Sequence, residues 1–463
     1  MRIALIRNHD VCANTRQHPL LQSRAGTLPH LGLAYIHGAL AEAGFDVLTI
    51  DAQVEQLADE DLRVRLEAFR PDLVGVTTTT PGFPGAKQAC DIAHALGAKV
   101  ILGGPHTEAI VAENLLHDSI DYVGVGEGVT TMVELCRRMA SGTPVEGTPG
   151  LVGRGFASPA AVMLPLQELG WPQRDSPPIG SFRSLVAKHP FTTMISSRGC
   201  PFQCSFCFKQ AVDKKSYFRE AEDIVDEMEH LVRRWGVREI MFYDDVFTMK
   251  RKRVYQICEE IGRRGLRVRW EAPTRVDIVD PEMLRVMARA GCVRLRYGIE
   301  SGSERILSHM GKLTDLPRIR NTVRATRRAG IQTFGYFIVG YLDETEEEFE
   351  DTVQLAIESG LDYASFYAAT PLPGTRLFRE AAARGLVSPD YWRDYVAGRV
   401  TERVPYLVPD AELRARTAYR RFYLRPRRMG VVLKSMSGRG MFMKVSSGLL
   451  SLGRSQSNVE RDM

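Results

Sequence analysis

"FTTMISSRGCPFQCSFC", residues 191–207, begins as a short apolar strand and runs into a loop that carries Cys200, Cys204 and Cys207 in C-x3-C-x2-C spacing. A strand that feeds a loop loaded with reactive groups is the pattern of a parallel βα unit, whose ligands collect beyond the carboxyl ends of the strands. Thiolates suit zinc and iron–sulfur clusters alike. Structural zinc closes four protein ligands, and no fourth Cys or His lies nearby, since His189 precedes the strand and falls at its far end. Three thiolates on a [4Fe–4S] cube would leave one iron open to a small molecule.

Downstream of this stretch the same rhythm repeats. Apolar runs follow at 239–243, 266–272, 293–300, 333–340 and 363–369, with helix-like segments at 220–235, 249–264, 281–290, 315–329 and 344–358. In the last of these helices, acidic Glu344, Glu346, Glu347 and Glu348 crowd the positive N-terminal end, while Phe349, Val353 and Ile357 form an apolar stripe. Six strands are too few for a closed eightfold barrel, so residues 191–389 are expected to form a partial (β/α)6 barrel with its chemistry on the loops after the strands.

Upstream, residues 1–140 alternate short apolar runs ("IALI", "VLTI", "LVGV", "VIL", "YVGV") with helix-length segments such as "LGLAYIHGALAEAG", where Leu33, Ile36 and Leu40 share a face. That is the signature of a doubly wound, Rossmann-like parallel sheet. Gly, Pro and Thr gather at its strand ends: Thr77, Thr78, Thr79 and Thr80; Gly103, Gly104, Pro105 and His106; Gly126, Glu127 and Gly128. Glycine lets backbone approach a ligand closely, and hydroxyls supply hydrogen bonds. The Gly- and Pro-rich stretch 141–190 reads as a linker, and 390–463 as a mostly helical, basic C-terminal region.

A chain of 463 residues with 44% hydrophobic and 25% charged residues has the composition of a multidomain globular protein. It contains no apolar run near the ~20 residues that span a bilayer, and "MRIALIRNHD" is no signal peptide, so a cytoplasmic location is expected. Of its eight cysteines, the scattered Cys12, Cys90, Cys136, Cys258 and Cys292 read as small buried hydrophobes in a reducing compartment. Residues 411–463 hold twelve Arg or Lys against three acidic residues, so the net +5 resides in the tail. Two readings of the tail stay open: a helix with a solvated charged face, or contact with an anionic membrane surface or an acidic partner. Without a recognisable binding fold, no nucleic-acid partner is expected.

From Phe191 to about Pro389 the chain resembles the radical S-adenosylmethionine family, through the C-x3-C-x2-C motif, "YDDVF", "GIESGSERIL" and "GYFIVGYLDET". The resemblance implies that Cys200, Cys204 and Cys207 hold a [4Fe–4S] cluster and that Phe206, Tyr243, Asp244, Asp245, Arg275, Glu300, Ser301 and Gly340 bind S-adenosylmethionine. "YLDET" departs from that family's usual Phe-Pro-Gly-Glu-Thr. Residues 1–140 resemble the cobalamin-binding domain that precedes many of these enzymes, which implies cobalamin at the Thr, Gly, Pro, His and Glu residues of the three turns. No D-x-H-x-x-G is present, so the resemblance implies cobalamin without a histidine on cobalt, with His106 lining the pocket at most. The implied activity is that of a class B radical methyltransferase: a 5′-deoxyadenosyl radical takes hydrogen from an unactivated carbon of a small-molecule substrate, which is then methylated. Lipid, tetrapyrrole and natural-product substrates all fit, and a flavodoxin- or ferredoxin-like electron donor is implied. Two alternatives stay open: a radical cyclase or oxidoreductase without methyl transfer, and a cobalamin and iron–sulfur regulatory or redox-relay protein.

Overall fold

Short, continuously apolar runs become strands when helices can cover both their faces, and the first 140 residues do this. The computed structural model describes residues 1–8, 27–161, 163–184, 186–208, 216–400 and 405–425. Strands β1 (Arg2–Arg7), β2 (Asp46–Asp51), β3 (Leu73–Thr77), β4 (Lys99–Gly103) and β5 (Tyr122–Gly124) lie parallel in the order β2-β1-β3-β4-β5. Ile6, Val76 and Leu102 pack against the helix Phe83–Ala95 on one face. Leu5 and Ile101 pack against the helices Leu31–Glu42 and Gly128–Ser141 on the other. The strand order reverses between β1 and β3, which opens a crevice at their carboxyl ends.

Residues 141–190, expected as a linker, are more than that. Strands β6 (Leu151–Gly153) and β7 (Phe156–Ala157) extend the first sheet antiparallel beyond β5, so this domain runs past residue 140. The remainder is packed between the domains. Gln173 N–H donates to the Ala34 carbonyl at 2.9 Å, while the buried Arg174 guanidinium reaches Glu227 and Thr192, both at 3.0 Å, in the second domain. A Gly- and Pro-rich composition marks irregular backbone here, and the polar and aromatic residues within it fix that backbone in place.

The second domain begins with β8 (Phe191–Met194), followed by the short antiparallel pair β9 (Ser197–Arg198) and β10 (Tyr217–Phe218). Strands β11 (Glu239–Phe242), β12 (Arg269–Thr274), β13 (Cys292–Glu300), β14 (Gln332–Val339) and β15 (Tyr363–Ala368) complete a six-stranded parallel sheet in the order β15-β14-β13-β12-β11-β8. This is the expected open half-barrel. Its outward side chains, among them Trp270, Leu295, Tyr297, Phe337 and Phe366, are fully buried with the surrounding helices. The inward face of β14 is different, because Gln332, Phe334, Tyr336 and Ile338 are only partly buried. The half-barrel therefore keeps an accessible interior, unlike the packed core of a closed eightfold barrel.

The helix Glu346–Glu358 starts as its sequence dictates: the Thr345 hydroxyl accepts from Glu348 N–H, and the Glu348 carboxylate accepts from Thr345 N–H. Beyond the barrel, the helix Ala411–Tyr423 covers the edge strand β15. Tyr423 donates to the Ala364 carbonyl at 2.8 Å and accepts from its N–H at 3.0 Å, which occupies backbone groups that an edge would otherwise offer to other chains. The short helix Tyr391–Val396 returns to the first domain, and its Trp392 and Val396 are part of that domain's core.

Cys90, Cys136, Cys258 and Cys292 are buried as expected, and burial pushes each thiol up, so they stay protonated and unreactive. Cys12 and the tail beyond residue 425 lie outside the described residues. Among the described residues, no helix is long and apolar enough to cross a membrane.

Candidate active site between the two domains

The three cysteines sit on the loop that leaves the β8–β9 segment, and this loop is fastened from several sides. Gly199 N–H donates to Asp245 at 2.8 Å. Ser205 N–H donates to the Met310 carbonyl at 2.9 Å, its hydroxyl meets the Tyr341 hydroxyl at 2.6 Å, and its carbonyl accepts from Leu377 N–H at 2.9 Å. Asp244 anchors the strand end below. It is fully buried and accepts from Ser196 N–H at 2.7 Å and from the hydroxyls of Ser196 and Ser197, with Arg253 3.9 Å away.

Cys204 and Cys207 are hydrogen-bonded neighbours: the shared bond lowers the Cys204 thiol against the cost of burial and, together with burial, raises the Cys207 thiol. Lys312 and Arg275 also push Cys204 down. Lys312 is buried and pairs with Glu300 at 2.7 Å; Arg275 is clamped by Asp277 and lies 3.8 Å above the Phe202 ring. Each cation has a carboxylate partner, and Glu300 pushes the sulfurs the other way, so the charge around the loop is close to balanced. Among the described residues, no three Cys, His, Asp or Glu side chains converge on a point that one metal ion could occupy. A cube of separate irons asks one bond of each sulfur, so it does not need such convergence.

Between the domains lies a cavity of about 450 Å3. Thr77, Gly103, Gly104, Gly126, Glu127 and Gly128 line it from the first sheet; Ser197, Arg198, Tyr243 and Asp245 line it from the barrel. A Cβ at Gly103 would meet nothing within 4 Å, so bare backbone forms that part of the wall. Gly104 has φ +101°, and a Cβ there would lie 2.6 Å from the Thr78 carbonyl oxygen, so only glycine fits. The buried hydroxyl of Tyr35, also on the wall, has no hydrogen-bond partner. A large, polar-rimmed cofactor lying across this backbone would fit and could satisfy it. A larger cleft, about 990 Å3, sits near Gly236, Gly265 and Gly291, which precede β11, β12 and β13. It therefore opens at the opposite ends of the strands from the cysteines.

Several residues expected in the site serve the scaffold instead. His106 is fully buried, its ring nitrogens lie 3.1 Å from Thr80 and 3.2 Å from Asn114, and burial lowers its pKa to about 4. It is a satisfied, neutral core histidine and does not line the cavity, although Pro105 does. Of the four threonines only Thr77 reaches the cavity, since Thr78 bonds the Thr79 carbonyl and Thr80 meets His106. Asp244 is fully engaged with its serines. The Ser301 hydroxyl is buried between Thr352 at 3.2 Å and Ser303 N–H at 3.1 Å. Gly340 has φ +70°, and a Cβ there would lie 2.5 Å from Ala411, so its glycine answers to the C-terminal helix.

Other expected residues do gather near the cysteines. Glu300 ends β13 with a left-handed φ of 73°, an uncommon conformation for a carboxylate side chain, and it holds Lys312. Phe206 packs among Ile306, Met310 and Tyr341 with the Lys312 ammonium 5.9 Å from its ring. Tyr243 is 43% exposed on the cavity wall. Lys312 and the ion pair between Arg198 and Glu127 were not expected. The pair joins the residue two before Cys200 to the first sheet's fifth strand end, where Glu127 also accepts from Val129 N–H at 3.1 Å. Arg198 stands inside the quoted cysteine stretch, but nothing in the sequence identifies its partner.

A doubly wound sheet facing an open parallel half-barrel, with a three-cysteine loop beside the cavity between them, defines a class of two-cofactor α/β enzymes. The description "Radical SAM superfamily" matches residues 194–356, and "B12 binding domain" matches residues 17–136. An uncharacterized methyltransferase of Pyrococcus horikoshii is 33% identical over 87% of this chain and 89% of its own length. The anaerobic magnesium-protoporphyrin IX monomethyl ester cyclase of Rubrivivax gelatinosus is 29% identical over 86% of this chain and 74% of its own length. The structure of the cobalamin-dependent S-adenosylmethionine radical enzyme OxsB shares the fold, with TM-score 0.73 and 16% identity over 97% of this chain and 72% of the other. The chain belongs to the cobalamin-dependent radical S-adenosylmethionine methyltransferase family. Its cofactors are a [4Fe–4S] cluster, S-adenosylmethionine and cobalamin.

Proposed function

We propose that the protein methylates an unactivated carbon of a small molecule held between its two domains. The observation that carries this reading is the shared cavity, whose wall combines the Gly103–Gly104 and Gly126–Gly128 turns of the first sheet with Tyr243 and Asp245 of the barrel. Cys200, Cys204 and Cys207 would hold the cluster, Glu300, Tyr243 and Asp245 would face S-adenosylmethionine, and the glycine turns would cradle cobalamin. When bound, these groups supply radical initiation and the methyl group. The chain itself orients the reactants and keeps water out: Asp245 fixes the cysteine loop through Gly199, and the Arg198–Glu127 pair ties that loop to the cobalamin side. Lys312 and Arg275 both lower the Cys204 thiol.

Anaerobic reconstitution with candidate substrates and isotopically labelled S-adenosylmethionine tests this. The expected outcome is a product that carries the labelled methyl group, with both 5′-deoxyadenosine and S-adenosylhomocysteine formed. In Cys204→Ala, visible cluster absorbance and 5′-deoxyadenosine should both disappear. The similarity to the porphyrin-ring cyclases favours a second reading, cyclisation or oxidation without methyl transfer. A product lacking the added carbon would select it.

A further inference from the structure

The open interior of the half-barrel carries chemistry of its own. In β11–β15 the residues whose side chains point inward are set by register: Glu239 pairs with Arg269, Glu271 with Arg294, Pro273 with Arg296, and Arg296 with Phe334. Three of these are arginines and two are carboxylates. Glu239 meets Arg269 at 2.9 Å and Arg294 at 3.2 Å, and Glu271 is tied to Arg294. This leaves Arg296 with the surplus charge. Its Nη2 donates to the Phe242 carbonyl, and the Tyr243 and Tyr336 hydroxyls reach the same guanidinium, whereas its Nε is buried with no hydrogen-bond partner and the nearest carboxylate oxygen, on Glu271, is 3.6 Å away and equally unpartnered. The higher pair, Glu300 and Lys312, cancels within itself.

Aromatic surface surrounds this charge. The Arg296 guanidinium lies 5.2 Å from the Tyr243 ring, and the Tyr336 and Tyr367 rings are 6.2 Å apart on the adjoining strands. Tyr243 is 43% and Tyr367 39% exposed, unusual for large rings on strands and strand ends that line a concave interior. Tyr243 also lines the interdomain cavity, so this ring borders both the barrel interior and that cavity.

We infer that Arg296, with Tyr243, Tyr336 and Tyr367, is the substrate-recognition site, and that it selects a flat apolar molecule bearing an oxyanion, either a carboxylate or a phosphoryl group. The inference rests on the proposed function, which places the substrate between the domains. A guanidinium whose hydrogen-bond acceptors are a backbone carbonyl and neutral hydroxyls, with no carboxylate closer than 3.6 Å, gains from a charge-assisted acceptor at its remaining N–H groups. The rings offer faces to a flat body and hydroxyls to its rim.

The test measures binding to the full chain, anaerobically reconstituted with cluster, cobalamin and S-adenosylmethionine, using 1-naphthoate, 1-naphthyl phosphate and uncharged 1-naphthamide as probes. At least one anion should bind about tenfold more tightly than the amide, and whichever anion does so separates a carboxylate from a phosphoryl substrate. In Arg296→Gln the preference should fall to about one, with iron and cobalt contents unchanged. If that variant loses its cofactors, Arg296→Lys is read instead; it keeps the charge without the fork and should reduce the preference several-fold. Equal binding of all three probes, or a preference unchanged in whichever variant is read, overturns the inference. Wild-type protein that takes up no iron or cobalt yet keeps the anion preference would overturn the proposed function and leave the recognition site standing.

Discussion

Single side chains in this protein divide between those that hold the cysteine loop and those that face open space, and residue type alone does not sort them. Asp244 and Asp245 are adjacent acids in "YDDVF", yet Asp244 is consumed by Ser196 and Ser197 while Asp245 lies on the cavity wall. Glu344 shows how far burial can move one group. It accepts from Gly340 N–H at 2.6 Å and lies 3.3 Å from Arg414, but burial outweighs both and raises its pKa from 4.5 to about 7. A carboxyl whose folded value lies above its unfolded one binds more protons when folded, so its contribution to stability is present at low pH and is lost as pH rises from about 4.5 to about 7. Glu344→Gln should therefore flatten the pH dependence of the melting temperature across that window, which a thermal-shift series would show. An unchanged slope would mean that another group sets it.

At the scale of elements, the strands and the cysteine loop were legible because both are local. Short apolar runs predict β1–β5, covered by helices on both faces, and the six barrel strands, covered by helices on their outer face. The turns with glycine and threonine announced themselves too, but which of Thr77–Thr80 reaches the cavity depends on His106 and Asn114, about thirty residues away in the chain. Strands β6 and β7 were illegible for a different reason: three and two residues show no period, and they exist only because β5 offers an edge. Lys312 follows a helix end with no motif around it. Element-level coupling gives a prediction. Asp244→Ala leaves Ser196 and Ser197 without their shared acceptor and the buried Arg253 without its ion-pair partner, which should cost about 3–5 kcal/mol in chemical denaturation. Iron retention should fall with it, because the same carboxylate braces the strand end that carries Cys200; full iron loading at reduced stability would separate the two effects.

The whole molecule is held by chain segments that cross between domains. The stretch around Arg174 binds both, Arg198 and Glu127 bridge the cavity, and Trp392 inserts into the first domain while donating to the Pro371 carbonyl at 2.7 Å. Trp392→Ala should cost about 3–5 kcal/mol as a large buried ring removed from a packed core. It should also speed the loss of cobalamin on dilution, measured by gel filtration and visible absorbance, while the half-barrel helices keep their far-ultraviolet signal. Loss of that signal would instead mean that the two cores unfold as one. The position of Trp392 also sets an order of events during synthesis. Amino-terminal units ordinarily fold as they leave the ribosome, but here part of the first domain's interior is supplied by residues 392 and 396, made only after the entire barrel. Until those residues are made, the Phe83–Ala95 side of the nascent first domain lacks part of its core, so the domain's packing can be completed only after the barrel has been synthesised.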